Sequence, residues 1–330
     1  MSDDSFQLPV RKVLSYYPAH LQPRMIAYLG NRGGFSGARL WRVQCQLGDV
    51  CLRAWPPQVT GESLTSQHEW MRQARAAGLT FVPLVHTSKA GTTWLEQEGQ
   101  LWEAASWMEG KADFISNPSA ERLRAACVVL ARLHESWKSV QTARAPCPGV
   151  RRRLQRATEW QSLLESGWRP VTNVGQPLQL LVQRATLLLV DLVPRVPLWL
   201  ESWAGRTYVL QPCLCDVWHD HILFNGDAVS GIVDYGGMKI DQVSVDIARM
   251  LGSMVGENGE QWQIGLSAYR RVRSLSAEEE ALAVALDRTG VIIGVVNWLM
   301  WICRDGRRFD DWNGVTRRLC ALVNRLEKER

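Results

Sequence analysis

The first third of the chain alternates apolar and polar residues, which is the pattern of strands in a half-buried sheet. Two such runs, at residues 39–46 and 50–54, flank Gly48 and Asp49 and predict a β-hairpin. Further strands are predicted by three more runs, at residues 81–86, 92–97 and 100–108. The pattern predicts a mostly antiparallel sheet over the first 108 residues.

One helix is predicted within this region. Residues 64–77 have helical periodicity, with Thr65 or Ser66 as the N-cap and Gly78 as the C-cap.

The rest of the chain has mainly helical periodicity, which begins at Ser119. Short apolar segments interrupt it at residues 209–215, 222–224 and 229–233, and the chain is helical again after residue 247. We therefore expect an α+β fold of two lobes. Residues 1–109 would form the smaller lobe around an antiparallel sheet with one helix, and residues 110–330 the larger, mostly helical lobe.

Composition excludes several classes of protein. The 330 residues are 46 % apolar and 22 % charged, which is ordinary globular usage rather than that of a disordered chain or a coiled coil. The net charge of +5 comes with one basic run, residues 151–153, so we expect no nucleic-acid partner. This run is either a solvated helix start or a contact to an anionic acceptor.

The sequence also predicts where the protein acts. The longest apolar run, residues 290–303, is shorter than the roughly 20 residues that span a bilayer, so we expect no membrane partner. The N-terminal residues lack a signal-peptide pattern, and the eight cysteines include no Cys-x-x-Cys pair. We expect a reduced, cytoplasmic protein.

Two aspartates carry the most informative chemistry. Asp216 follows a short apolar segment, and Asp234 ends the next strand. One such carboxylate can accept a proton from a hydroxyl, and the other can hold a divalent metal. Phosphoryl transfer needs these two functions, together with a phosphate-binding loop and a cation near the phosphates.

The sequence offers candidates for the loop and the cation. The glycine-rich residues 30–37 (GNRGGFSG) let backbone N–H groups approach phosphate oxygens, and Ser36 adds a hydroxyl. Such a stretch alone is more often an ordinary turn. Arg53 lies on the following hairpin, and Glu69 on the helix after it can hold that cation in place. The alternative for Arg53 and Glu69 is an ordinary solvated pair.

This order of features resembles the aminoglycoside phosphotransferase and choline kinase family, which has a protein-kinase-like fold. Residues 214–223 (LCDVWHDHIL) and 232–236 (IVDYG) are similar to the family's His-Gly-Asp-x-His-x-x-Asn-Ile-Leu and Ile-Asp-Phe/Trp motifs. The resemblance implies transfer of the γ-phosphate of ATP, with Mg²⁺, to a hydroxyl of a small metabolite, sugar, amino alcohol or aminoglycoside.

The resemblance also implies roles for individual residues. Asp216 matches the catalytic aspartate, Asp234 the metal-binding aspartate, and Asp246 a buried aspartate that braces the catalytic loop. Arg53 matches the phosphate-binding strand lysine, and Glu69 is its expected partner. The remaining nucleotide-binding positions belong to the glycine-rich loop and to the hinge that receives adenine; they are Gly33, Gly34, Ser36, Gly37, Ala105 and Trp107.

The chain departs from the family pattern most seriously at His221, which stands where the family has a metal-binding asparagine. Neutral imidazole prefers softer ions than Mg²⁺. Use of Mn²⁺, a single-metal mechanism through Asp234 and weakened catalysis all remain open. The alternative function is therefore a catalytically weak or inactive pseudokinase that binds nucleotide or a partner.

The other questions concern the substrates. A protein kinase is disfavoured because about a dozen residues separate Asp234 from Asp246, which leaves little room for a peptide platform. The sequence leaves open the acceptor, the choice between ATP and GTP, and the oligomeric state.

Overall fold

The computed structural model describes residues 4–30, 37–140 and 144–329, with side chains from residue 9 onward. The chain forms two compact units. Unit 1 contains residues 1–137 and 219–238, and unit 2 contains residues 138–218 and 239–330. Residues 219–238 thus belong to unit 1, although the segments before and after them in the sequence belong to unit 2. The expected assignment of residues 1–109 to nucleotide binding and 110–330 to acceptor binding stays a prediction.

The first half of the chain supplies most of unit 1. Its elements are α1 (Asp4–Ser15), β1 (Met25–Gly30), β2 (Arg39–Cys45), β3 (Gly48–Ala54), α2 (Gly61–Ala76), β4 (Leu95–Gln97), β5 (Gln100–Ser106) and α3 (Ala120–Ser136). The five strands form one antiparallel sheet in the order β1-β2-β3-β5-β4.

The later elements are divided between the units. They are β6 (Ala145–Pro146), α4 (Pro148–Glu165), α5 (Gln176–Leu192), α6 (Arg195–Ala204), β7 (Thr207–Tyr208), β8 (Gln211–Cys213), β9 (Ile222–Asn225), β10 (Ala228–Ile232), β11 (Lys239–Asp241), α7 (Ser244–Val255), α8 (Gly259–Arg270), α9 (Ala277–Leu299) and α10 (Trp312–Glu327). The β9–β10 hairpin belongs to unit 1, and β8 pairs with β11 in unit 2.

The predicted β2–β3 hairpin is confirmed, with Cys45 opposite Gly48. The predicted strand at residues 81–86 is wrong, because Pro83 lacks an N–H for a ladder and only an isolated bridge from Val85 to Ala105 forms there. The predicted N-cap of α2 is also wrong. Thr60 caps the helix, and its hydroxyl accepts a hydrogen bond from the Ser63 N–H at 3.2 Å.

The core of unit 1 lies on one face of the sheet. Trp41 of β2 and Trp102 of β5 are buried there, with ring centroids 5.2 Å apart. Val10, Val13 and Leu14 of α1 belong to the same apolar cluster. The helix α1, which was not predicted from the sequence, therefore covers the apolar face of the sheet.

Unit 2 is built around α9, which packs against α4, α7 and α10. Residues Ala277–Arg304 form a helical segment, ending in a π-helical turn at Met300–Arg304, and it is apolar and long enough to cross a membrane. Most of it is buried inside the structure. Its apolar character is accounted for by packing.

The contact of α7 with α9 depends on Gly252. A Cβ atom at this position would overlap the carboxylate of Asp287 on α9. Asp287 cannot easily move, because Arg325 of α10 donates a hydrogen bond to its Oδ2 at 2.8 Å. Burial raises the pKa of Asp287 to about 6, against the opposing effect of Arg325. Glycine thus permits the close approach of these two helices.

We expect Gly252→Ala to lower the free energy of unfolding by about 1–3 kcal/mol, since the added methyl displaces Asp287 from its pair. Gly259→Ala is the matched control, because a Cβ at Gly259 meets no atom within 4 Å. The control is expected to be neutral or stabilising by up to about 1 kcal/mol. Urea unfolding measures both variants, and equal stability would contradict the packing argument.

Candidate active site

Asp234 lies immediately after β10 in unit 1, with a left-handed backbone (φ 62°). Arg53 Nη1 donates a hydrogen bond to its Oδ1 at 3.1 Å, and His221 Nε2 lies 3.7 Å from its Oδ2. Burial acts to raise the pKa of this carboxyl, but Arg53 and His221 outweigh it and hold the pKa below its usual value. The carboxylate is therefore charged at neutral pH.

Arg53 connects Asp234 to a second acid. Its Nε lies 3.6 Å from Oε1 of Glu103, the residue opposite it on the neighbouring strand β5. Burial alone would lower the pKa of Arg53, yet the two acids raise it. The guanidinium also lies over the Trp55 ring, 4.6 Å from its centroid. Arg53 is thus a permanently charged group, held on two sides by carboxylates.

The expected pair between Arg53 and Glu69 is not formed. Glu69 is exposed and accepts hydrogen bonds from Arg72 at 2.6 Å and Gln73 at 3.2 Å. The buried face of α2 instead carries His68, and one helical residue rotates the side chain by about 100°. Glu69 therefore points away from the face that carries His68.

His68 holds Glu103 in place. His68 Nε2 lies 2.6 Å from Glu103 Oε2, and Nδ1 lies 2.8 Å from the Thr93 hydroxyl. Burial acts to raise the pKa of Glu103, but the His68 hydrogen bond, the His68 charge and Arg53 bring the pKa below its usual value. Sequence reading missed Glu103. The pairing of β3 with β5 could have predicted it, because in that register Glu103 lies directly opposite Arg53.

The predicted phosphate loop falls largely outside the described residues, which include neither Gly33, Gly34 nor Ser36. Gly37 is described and has φ +85°, a conformation that strains residues with a Cβ. It directly precedes Ala38 and the strand β2. Glycine is therefore required at 37 by the backbone, and its phosphate contact stays a prediction.

The predicted hinge residues lie at the end of β5. Ala105 pairs with Cys51 of β3, and the Trp107 N–H donates to the Asp49 carbonyl at 2.9 Å. The Trp107 indole packs under the Arg42 guanidinium, 4.6 Å from the ring centroid. These contacts fix the strand end, and adenine binding by Ala105 and Trp107 stays a prediction.

The loop that carries Asp216 belongs to unit 2 and is held by Asp246. The buried Asp246 accepts hydrogen bonds from the backbone N–H groups of Leu214 at 2.7 Å and Cys215 at 2.6 Å. This confirms the bracing role expected for Asp246. Cys215 has a left-handed backbone (φ 62°), which turns the chain just before Asp216.

Asp216 itself is accessible. Its side chain is 56 % exposed, and Oδ1 accepts a hydrogen bond from Arg249 Nε at 3.0 Å. Oxygen atoms of an exposed carboxylate can accept a proton or a hydrogen bond from an incoming hydroxyl. The geometry is therefore compatible with the base role that the resemblance implies.

Asp234 and His221 provide a donor pair that fits one divalent cation. Oδ2 of Asp234 and Nε2 of His221 are 3.7 Å apart, less than twice the roughly 2.1 Å of a metal–oxygen or metal–nitrogen bond. A carboxylate with an imidazole suits Mn²⁺ or Zn²⁺ at least as well as Mg²⁺. The distance permits one ion to contact both side chains, and metal binding by Asp234 and His221 stays a prediction.

Comparisons with known proteins agree with this fold. A model described as the phosphotransferase enzyme family matches residues 28–282. The chain is 26 % identical over 204 residues to a homoserine kinase of Sinorhizobium fredii, covering 59 % of this chain and 56 % of that protein. It is 25 % identical over 266 residues to a homoserine kinase of Beijerinckia indica, covering 78 % and 76 %. The chain thus spans little more than half of the first relative.

Among solved structures, a spectinomycin phosphotransferase in complex with ADP and spectinomycin is similar, with a TM-score of 0.73. It is 10 % identical, and the match covers 98 % of each chain. This likeness confirms the α+β kinase-like fold class expected from the sequence.

The pairing of Arg53 can be tested by comparing two acids. Glu103→Gln is expected to lower the free energy of unfolding by about 3 kcal/mol, because it leaves the buried Arg53 and His68 without their shared carboxylate. Glu69→Gln, on the exposed face of α2, is expected to change it by less than about 0.5 kcal/mol. Urea unfolding at neutral pH measures both. A larger effect at Glu69 would contradict the observed network.

Proposed function

Because the chain belongs to the phosphotransferase enzyme family, we propose that it transfers the γ-phosphoryl group of ATP to the hydroxyl of a small acceptor. Family membership and the similarity to homoserine kinases support an alcohol group as the acceptor. The observation that carries the proposal is the Arg53–Asp234–His221 cluster, in which a charged carboxylate lies between a fixed cation and an imidazole.

In this proposal unit 1 binds the nucleotide phosphates. Arg53 contacts phosphate oxygens, while Glu103 and His68 keep its guanidinium in position. Asp234 and His221 hold the divalent cation. A bound divalent cation supplies neutralisation of the charge that develops on the transferred group. Phosphoryl transfer depends mainly on such positioning and charge, so few side chains need to react.

Asp216 is the group proposed to face the acceptor hydroxyl. The two hydrogen bonds to Asp246 fix the preceding backbone, so the carboxylate is presented from a rigid loop. It orients the hydroxyl and accepts its proton as the oxygen attacks phosphorus. Arg249 engages Oδ1 and thereby orients the carboxylate, leaving Oδ2 for the hydroxyl.

The acceptor we propose is a small amino alcohol or hydroxy amino acid. We propose that the protein phosphorylates it in the cytoplasm. The homology to homoserine kinases supports this size of acceptor over a large aminoglycoside. The second candidate, a nucleotide-binding pseudokinase, is favoured by one observation. His221 stands where the family's metal-binding asparagine is expected, and it lies beside Asp234.

Asp216→Asn is expected to reduce phosphorylated product by at least about a hundredfold, because amide nitrogen and oxygen cannot accept the proton. Binding of ATP should be unchanged. Asp227→Asn, in the exposed turn between β9 and β10, is the control with an equal charge change and should retain activity. Product formation is measured by ADP release and by mass spectrometry of the acceptor. Near wild-type transfer by Asp216→Asn would overturn the assignment of the base.

Asp234→Asn is expected to abolish the metal-dependent stabilisation by ATP. For wild-type protein, ATP at 100-fold its Kd should add about 2.7 kcal/mol to the free energy of unfolding. Thermal unfolding with ATP and Mg²⁺, Mn²⁺ or EDTA measures this, with Asp227→Asn as control. Stabilisation of wild-type protein that persists in EDTA, without transfer under any metal, would support the pseudokinase instead.

A further inference from the structure

We propose that the acceptor carries a carboxylate a few bonds from its hydroxyl, and that Arg249 binds this carboxylate beside Trp218. The inference rests on the proposed function, because it takes Asp216 as the group that faces the hydroxyl. It adds the anionic half of the acceptor and the residue that recognises it.

The first observation is the incomplete use of the Arg249 guanidinium. Arg249 lies on α7, and its Nε donates to Asp216 Oδ1 at 3.0 Å. Among the described residues, neither Nη atom donates a hydrogen bond. The side chain is 32 % exposed, so solvent and ligands can reach it. A guanidinium has five N–H donors, and its Nη side can bind a carboxylate through two parallel hydrogen bonds.

The second observation is the convergence of cations on Trp218, two residues after Asp216. The Arg249 guanidinium lies 5.8 Å from the Trp218 ring centroid, and the Arg318 guanidinium of α10 lies 3.4 Å from it. Two helices of unit 2 thus bring positive charge to one indole. The indole orients each guanidinium through cation–π attraction and covers part of it from water, which strengthens its attraction for an anion.

The third observation is the distance between the two binding groups. Arg249 Nε donates a hydrogen bond to Asp216 Oδ1. The Nη atoms of Arg249 and the Oδ2 atom of Asp216 therefore belong to the same ion pair. A hydroxyl bound at Asp216 and a carboxylate bound at Arg249 would each lie at hydrogen-bond distance from one member of this ion pair, so both can belong to one small ligand. A chain of a few carbon atoms is short enough to join them.

The local charge also argues against polycationic acceptors. A ligand with several ammonium groups would place positive charge beside Arg249 and Arg318, which is unfavourable. A ligand carboxylate does the reverse, since it gives Arg249 a second anionic partner. Arg249 is thus a specificity-determining residue, whose hydrogen bond to Asp216 positions the base as well.

Three acceptors of nearly equal size separate the effect of the carboxylate on binding from the effect of the ammonium group. L-Homoserine has a hydroxyl, an ammonium and a carboxylate; 3-aminopropan-1-ol lacks the carboxylate, and 4-hydroxybutanoate lacks the ammonium. Each is tested on the full chain by concentration-dependent thermal unfolding with ATP present and by steady-state ADP release. We expect the two carboxylates to bind wild-type protein at least about tenfold more tightly than 3-aminopropan-1-ol.

Arg249→Met is expected to weaken binding of both carboxylates by about 10- to 100-fold, while binding of 3-aminopropan-1-ol is unchanged. Arg249→Lys should restore part of the loss, since it keeps the charge without the planar fork. Arg288→Met is the matched control. Arg288 also pairs through Nε with a carboxylate, Glu329 at 2.5 Å, and lies over an indole, Trp199 at 3.6 Å, away from Asp216.

Three results would overturn the inference. The first is that wild-type protein binds 3-aminopropan-1-ol as tightly as L-homoserine. The second is that neither L-homoserine nor 4-hydroxybutanoate stabilises wild-type protein. The third is that Arg249→Met lowers kcat equally for all three acceptors with unchanged KM, which would leave Arg249 only the role of positioning Asp216. The proposed function is judged separately, because metal-dependent stabilisation by ATP does not require an acceptor.

Discussion

The charge on Arg53 is the constraint on which the Asp234 part of the candidate site depends. A guanidinium enclosed by a sheet and an indole is costly unless carboxylates surround it. Glu103 supplies one carboxylate from the neighbouring strand, and Asp234 supplies the other from the end of the β9–β10 hairpin. The same interaction therefore joins residues 219–238 to the sheet of unit 1 and fixes the position of Asp234.

The acid that pairs with Arg53 lies on a strand, whereas the sequence predicted it on a helix. The expected partner of Arg53 was Glu69 on α2, but the buried face of α2 presents His68. The acid that pairs with Arg53 is Glu103 of β5, and α2 contributes the imidazole of His68, which holds Glu103 in place. The outcome for Arg53 is the same, a cation held by a carboxylate that the helix positions. Different residues can thus meet one electrostatic requirement.

Sequence patterns predicted what depends on local periodicity and on contiguous motifs. The β2–β3 hairpin and the helices after Ser119 followed from alternation, turn residues and helical periodicity, and the bracing by Asp246 followed from the family resemblance. The patterns failed where tertiary contacts decide. Pro83 prevents a strand in an apolar run, and α1 is ordered by burial against the sheet rather than by its own composition. The Glu103 pairing needed a register between strands nearly 50 residues apart.

The left-handed backbone at Cys215 has a consequence for how substitutions combine. A residue with a Cβ pays about 1 kcal/mol for that conformation, whereas the glycine of the family motif at this position adopts it freely. In this chain the loop geometry is therefore maintained by the two hydrogen bonds to Asp246 rather than by residue 215. Positions 215 and 246 are energetically coupled, so damage at Asp246 is buffered by a glycine at 215 and amplified by the cysteine.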